Sequence, residues 1–101
     1  MAGTETVIVT GVRTGMGAFL GALATVPAPK LGAACVRALV EKTGVPGDAV
    51  DEVVMGNCIA AGLGMNPARQ AALLGGLPNS AGATTLNRAC ASGLMAVLTA
   101  D

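Results

Sequence analysis

Residues 83–98, ATTLNRACASGLMAVL, carry the side chains best suited to chemistry, and Cys90 stands at their centre. Before it, Ala83, Thr84, Thr85 and Leu86 form a short β-prone run. After it, Leu94, Ala96, Val97 and Leu98 form a segment too densely apolar for a surface helix. The pattern predicts a cysteine where a strand hands over to a buried helix. The first N–H groups of a helix lack intrahelical partners and its dipole favours negative charge, so a thiolate is stabilised at such a place. Ala91, Ser92 and Gly93 are small, which lets a substrate carbonyl approach both the sulfur and the backbone N–H of Cys90. This is the local pattern of a nucleophile elbow. The same residue also reads as a small hydrophobe, since free cysteines are commonly buried and inert.

Composition narrows the chemistry. The 101 residues make one small domain, 52% hydrophobic and rich in glycine and alanine, with enough apolar surface for a modest core. Six basic and six acidic side chains cancel, and Phe19 is the one aromatic residue, so neither a phosphate-binding face nor a base-stacking platform is available. Nucleic-acid binding is disfavoured. Cys35, Cys58 and Cys90 are odd in number and widely spaced, which argues against a disulfide framework and against a CxxC-type metal site, and no metal is expected. A reducing, cytoplasmic setting is expected, with no targeting segment, no membrane span and no membrane partner. The chain has no histidine. A cysteine nucleophile needs a base, so the base is of another type or lies outside these residues. The helix that begins near Cys90 reaches Asp101 without a cap, from which a truncated chain is expected.

The remaining elements must position that cysteine. Residues 6–10, TVIVT, form a β-branched run that predicts a buried strand. Residues 10–17, TGVRTGMG, match the glycine pattern with which short-chain dehydrogenases cradle a dinucleotide. Pro27 and Pro29 interrupt any helix begun at Met16, and the residues after them look helical where a dinucleotide fold needs a strand. From Lys30 to Thr43, Leu31, Ala34, Cys35, Ala38 and Leu39 form a helical stripe widened by Ala33, Val36 and Val40. A largely buried helix is expected, with Cys35 in the core, stopped by Gly44 and Pro46. Asp48 is placed to cap a single turn before a strand over residues 50–57. Asp51 and Glu52 would point to opposite faces of that strand and form no acid–base dyad. Residues 56–64 read as a small-residue loop in which Cys58 is more often structural than not. Asn66 and Pro67 start a helix that ends at Gly75 and Gly76. Strand, helix, strand, helix, strand, helix is the order of an α/β layered fold with a mainly parallel sheet.

Four segments, VIVTGVRTGMGAF (residues 7–19), VDEVVMGN (50–57), AGLGMNPARQA (61–71) and LNRACASGL (86–94), resemble the N-terminal part of a thiolase, the acyl-CoA acyltransferase family. The resemblance implies a layered α/β/α unit, residues 1–101 being an incomplete N-terminal domain within an αβαβα architecture, truncated in the helix after the nucleophile. The loop domain and the C-terminal domain would then be absent. It implies that Cys90 is the nucleophile, taking an acyl group from acyl-CoA as a thioester, with its backbone N–H as an oxyanion donor. It also implies that coenzyme A enters as substrate, with no separate cofactor, and that the complete protein is a homodimer or homotetramer. The family's activating histidine, second cysteine and CoA-binding loop domain would lie beyond the equivalent of Asp101, leaving these residues inactive alone. Gly15 stands where the family often has proline, and Met65 where it often has glutamine. Three other readings stay open: a condensing enzyme like the ketoacyl synthases, a thiolase-like lipid carrier or scaffold without catalysis, and a dehydrogenase.

Overall fold

The computed structural model describes residues 4–101. In chain order the elements are α1 (Ala28–Thr43), β1 (Glu52–Gly56), α2 (Pro67–Leu74), β2 (Gly82–Leu86) and α3 (Ser92–Ala100), with a 3₁₀ turn at Gly47–Ala49. The two strands pair in parallel with Glu52 opposite Gly82 and Gly56 opposite Leu86. The Asn57 N–H donates to the Leu86 carbonyl at 3.0 Å, carrying the hydrogen bonding one residue past the strand.

Strand alternation divides β1 between two layers. Val53 packs against the core of Ala72, Leu77 and Ala81, and Met55 lies against Gly32 of α1, so these residues face the α1–α2 layer. Gly56 faces α3 instead. A Cβ there would come within 2.3 Å of the carbonyl of Ser92 and 2.6 Å of the Gly93 nitrogen, so the first turn of α3 rests directly on the strand. The fold is an α/β arrangement in which α1 and α2 lie on one face of a parallel two-stranded sheet and α3 on the other.

Small residues set the spacing between the helices. Ala68, Ala71 and Ala72 of α2 are completely buried. A Cβ on Gly32 would sit 3.0 Å from that of Ala71, and one on Gly75 would sit 2.7 Å from a methyl of Val36. Bulk at these positions would push α1 and α2 apart.

Local signals place most ends where the sequence puts them. Asn66 caps α2 by accepting from the Arg69 N–H at 3.3 Å, with Pro67 following. Gly44 stops α1 at φ 70°, a left-handed conformation that glycine adopts without penalty. α1 starts at Ala28, ahead of Lys30, because Pro29 lies in the first turn, where its missing N–H breaks no hydrogen bond. Asp48 lies inside the 3₁₀ turn and does not cap it.

Three expectations of burial fail. Residues 6–10 form no strand, and Val7, Ile8 and Val9 are exposed. Thr6, Val7 and Ile8 lie across an open groove from β1 and α3, without a ladder to either. α1 is only half-buried along most of its stripe, with Ala34 exposed and Cys35 intermediate. α3 buries only Ser92 and Ala96, while Leu94, Val97 and Leu98 are exposed. Burial on both faces of a strand, or all round a helix, requires neighbours on every side. Among the described residues, each of these segments has neighbours on one side.

Replacing Gly56 with alanine is expected to destabilise the complete native protein by at least about 1–3 kcal/mol, because the clash is with backbone and cannot be relieved by a rotamer change. Urea denaturation of the wild-type and Gly56→Ala proteins measures it.

Candidate active site

Cys90 is exposed and lies two residues before the start of α3. β2 delivers the chain to Asn87, and the turn from Arg88 to Ala91 then reverses it onto the sheet. Ala91 donates to the Arg88 carbonyl at 3.0 Å, and Ser92 donates to the Ala89 carbonyl at 3.2 Å. Ala89 has φ 51°, one of three non-glycine residues with a positive value among the described residues. For an alanine this left-handed backbone costs about 1–2 kcal/mol, which the surrounding bonds must offset.

Ser92 supplies two of those bonds. Its hydroxyl donates to the Ala89 carbonyl at 2.6 Å and accepts from the Arg88 N–H at 2.9 Å. Among the described residues it is the buried polar one, at 5% exposure, held over Gly56 by the close backbone approach of α3 to β1. Asn87 supplies a third, accepting from the Ala89 N–H at 2.8 Å, while its amide donates to the Cys58 carbonyl at 3.2 Å.

The loop on the other side is fixed from α2 and β2. The Thr85 hydroxyl accepts from the Ala68 N–H at 2.9 Å and donates to the Asn66 side-chain oxygen at 2.6 Å. Asn66 also donates to the Ala83 carbonyl at 3.2 Å. Arg69 reaches the Ala81 and Asn79 carbonyls, and Gln70 reaches those of Leu63 and Met65. The NPARQ segment (residues 66–70) therefore works as a set of side-chain ties on the loops flanking β2.

The other sequence candidates lie apart. Cys35 is on α1, and Cys58 is exposed in the loop after β1, joined to the turn through its carbonyl and Asn87. Asp51 and Glu52 are both exposed, and Glu52 accepts a hydrogen bond from the Thr84 hydroxyl of β2. The glycine loop of residues 11–17 does not open a helix, since the first helix begins at Ala28. The dinucleotide reading fails on that geometry. Among the described residues no three His, Cys, Asp or Glu side chains converge as metal ligands, and no helix is long and apolar enough to cross a membrane. Asn87 and Thr85 were within the sequence motif, but their contacts, reaching 29 and 19 positions along the chain, have no local signal.

Comparison with known proteins places this geometry in a family. Residues 6–101 match the model of the thiolase N-terminal domain. The chain is 55% identical over 93 residues to a probable acetyl-CoA acetyltransferase of Escherichia coli (strain K12), covering 92% of this chain and 24% of that protein. It is 50% identical over 97 residues to an acetyl-CoA acetyltransferase of Cupriavidus necator, covering 96% of this chain and 25% of the relative. A mitochondrial acetyl-CoA acetyltransferase of Mus musculus is 51% identical over 97 residues, 96% of this chain and 23% of its own. The chain thus spans about a quarter of the length of the curated relatives it matches.

Ser92→Ala is expected to cost the complete native protein about 1–3 kcal/mol, because the Arg88 N–H loses its acceptor and the turn its tie to α3. Thermal unfolding of the two proteins measures the loss.

Proposed function

This chain belongs to the thiolase family, and on that footing we propose that the complete protein transfers acyl groups to and from coenzyme A through a thioester on Cys90. The observation that carries the reading is the exposed Cys90 at the end of a turn locked to the sheet, within the LNRACASGL segment (residues 86–94). The names of the relatives, acetyl-CoA acetyltransferases of bacteria and of mitochondria, support an acyl-CoA substrate.

In the proposed first half-reaction the Cys90 sulfur attacks the acyl carbonyl carbon. A new S–C bond forms, the bond between that carbon and the coenzyme A sulfur breaks, and the thiol proton passes through a base to the departing thiolate. The Cys90 N–H is proposed as one donor to the oxyanion of the tetrahedral intermediate, a contribution that is worth about 2.7–4 kcal/mol where it has been measured. In the second half-reaction the α-carbon of another acyl-CoA, after losing a proton, attacks the acyl-cysteine carbonyl. A 3-ketoacyl-CoA forms and Cys90 leaves as thiolate. Cleavage is the same sequence reversed.

The base is proposed to come from outside these residues, since the chain holds no histidine. Residues 1–101 are then an incomplete N-terminal domain and are expected to be inactive alone. Three free cysteines favour a reducing compartment such as the cytoplasm, and the exposed Leu94, Val97 and Leu98 of α3 favour a homo-oligomer, dimeric or tetrameric, of the complete protein.

Cys90→Ala in the complete native protein is expected to reduce acetyl exchange between acetyl-CoA and free coenzyme A by at least about 10³-fold, as loss of a covalent nucleophile does. Cys58→Ser is expected to leave the rate within a few-fold of wild type. A Cys90→Ala protein that exchanges at the wild-type rate would contradict the reading.

A further inference from the structure

The peptide on each side of Ala89 is held by a different side chain. Ser92 takes the Ala89 carbonyl from within the fold, and Asn87 takes the Ala89 N–H from outside it. Ser92 is buried and also sets the start of α3, so its role is bound up with stability. Asn87 is exposed, and its side chain makes two hydrogen bonds: it accepts from the Ala89 N–H at 2.8 Å and donates to the Cys58 carbonyl at 3.2 Å.

From this we infer that Asn87 is a positioning residue for Cys90. The inference rests on the proposed role of Cys90 as nucleophile. Asn87 ties the loop after β1 to the turn and keeps the Arg88–Ala89 peptide from flipping. With its N–H partner gone, Ala89 relaxes from φ 51° to the right-handed or extended backbone that alanine prefers, and Cys90, the next residue, swings away from its present direction. Substrate binding is unaffected, because Asn87 acts through the backbone of Ala89 and not through the acyl-CoA. The effect therefore falls on the rate of thioester formation and not on the Michaelis constant.

The mechanism has a specific signature. Glycine occupies the left-handed region about as readily as the right-handed one, so a glycine at position 89 keeps the turn populated without the Asn87 bond. A side chain that merely stabilised the fold would, when removed, lower the unfolding midpoint and leave the acetylation rate of the folded protein unchanged.

The experiment measures the rate of acetyl transfer from acetyl-CoA to Cys90 in the complete native protein, by rapid quenching and peptide mass analysis, with kcat and KM measured alongside. Asn87→Ala is expected to slow acetylation by on the order of 10²-fold with KM unchanged, the size of effect expected for a nucleophile displaced by about 1 Å. Adding Ala89→Gly to that variant is expected to recover roughly 5–30-fold, the factor that corresponds to removing the left-handed penalty. An Asn87→Ala protein acetylated at the wild-type rate, or a slow one that Ala89→Gly does not rescue, would overturn the positioning role while leaving Cys90 as nucleophile. A wild-type protein that gains no acetyl group at Cys90 would instead remove the nucleophile reading, and this inference with it.

Discussion

Gly56 has a hydrogen where any other residue has a carbon, and the place of α3 on the sheet depends on that difference. The Ser92 carbonyl occupies the space a Cβ would need, so the helix begins in direct backbone contact with the end of β1. Once Ser92 is seated there, its hydroxyl is within reach of both Arg88 and Ala89. The turn that carries Cys90 is therefore referenced to the rigid parallel pair and does not hang from the end of β2 alone. A direction set in this way is the kind of preorganisation that a covalent catalyst uses.

The rest of the fold repeats the same economy of side-chain volume. Alanines 68, 71 and 72 bring α2 close to the sheet and to α1. Polar side chains then do what strands do elsewhere: Asn66, Arg69, Gln70 and Thr85 supply bonds to five backbone carbonyls and a helix N–H across the loops. Such bonds each contribute modestly, but they leave few buried groups without a partner, which is where an irregular loop would otherwise lose stability. Among the described residues no buried side-chain polar atom lacks one.

What could be read from the sequence was what local chemistry decides. Asn66 with Pro67, Gly44, and the β-prone runs at residues 53–55 and 83–86 each carry their own signal within a few positions. Burial could be read only as a demand for cover. Residues 6–10 and α3 are apolar enough to be enclosed, yet among the described residues they meet neighbours on one side, so Ile8 and Leu94 remain exposed. At the candidate site the position of Cys90 between strand and helix was legible from the change of pattern around it. The left-handed backbone of Ala89 was not, because alanine has no preference for it and the bonds that hold it come from tertiary placement. Asn87 shows the same limit: its residue type is plain, but its partner at Cys58 lies 29 positions away.

On the proposed function, this turn presents Cys90, and not another cysteine, as the acyl acceptor. The most direct test is to expose the complete native protein to acetyl-CoA, quench with acid and map the modified peptides by mass. One acetyl group, labile to hydroxylamine as a thioester is, is expected on the peptide containing Cys90. An acetyl group carried on Cys58 or Cys35, or none on any cysteine, would contradict it.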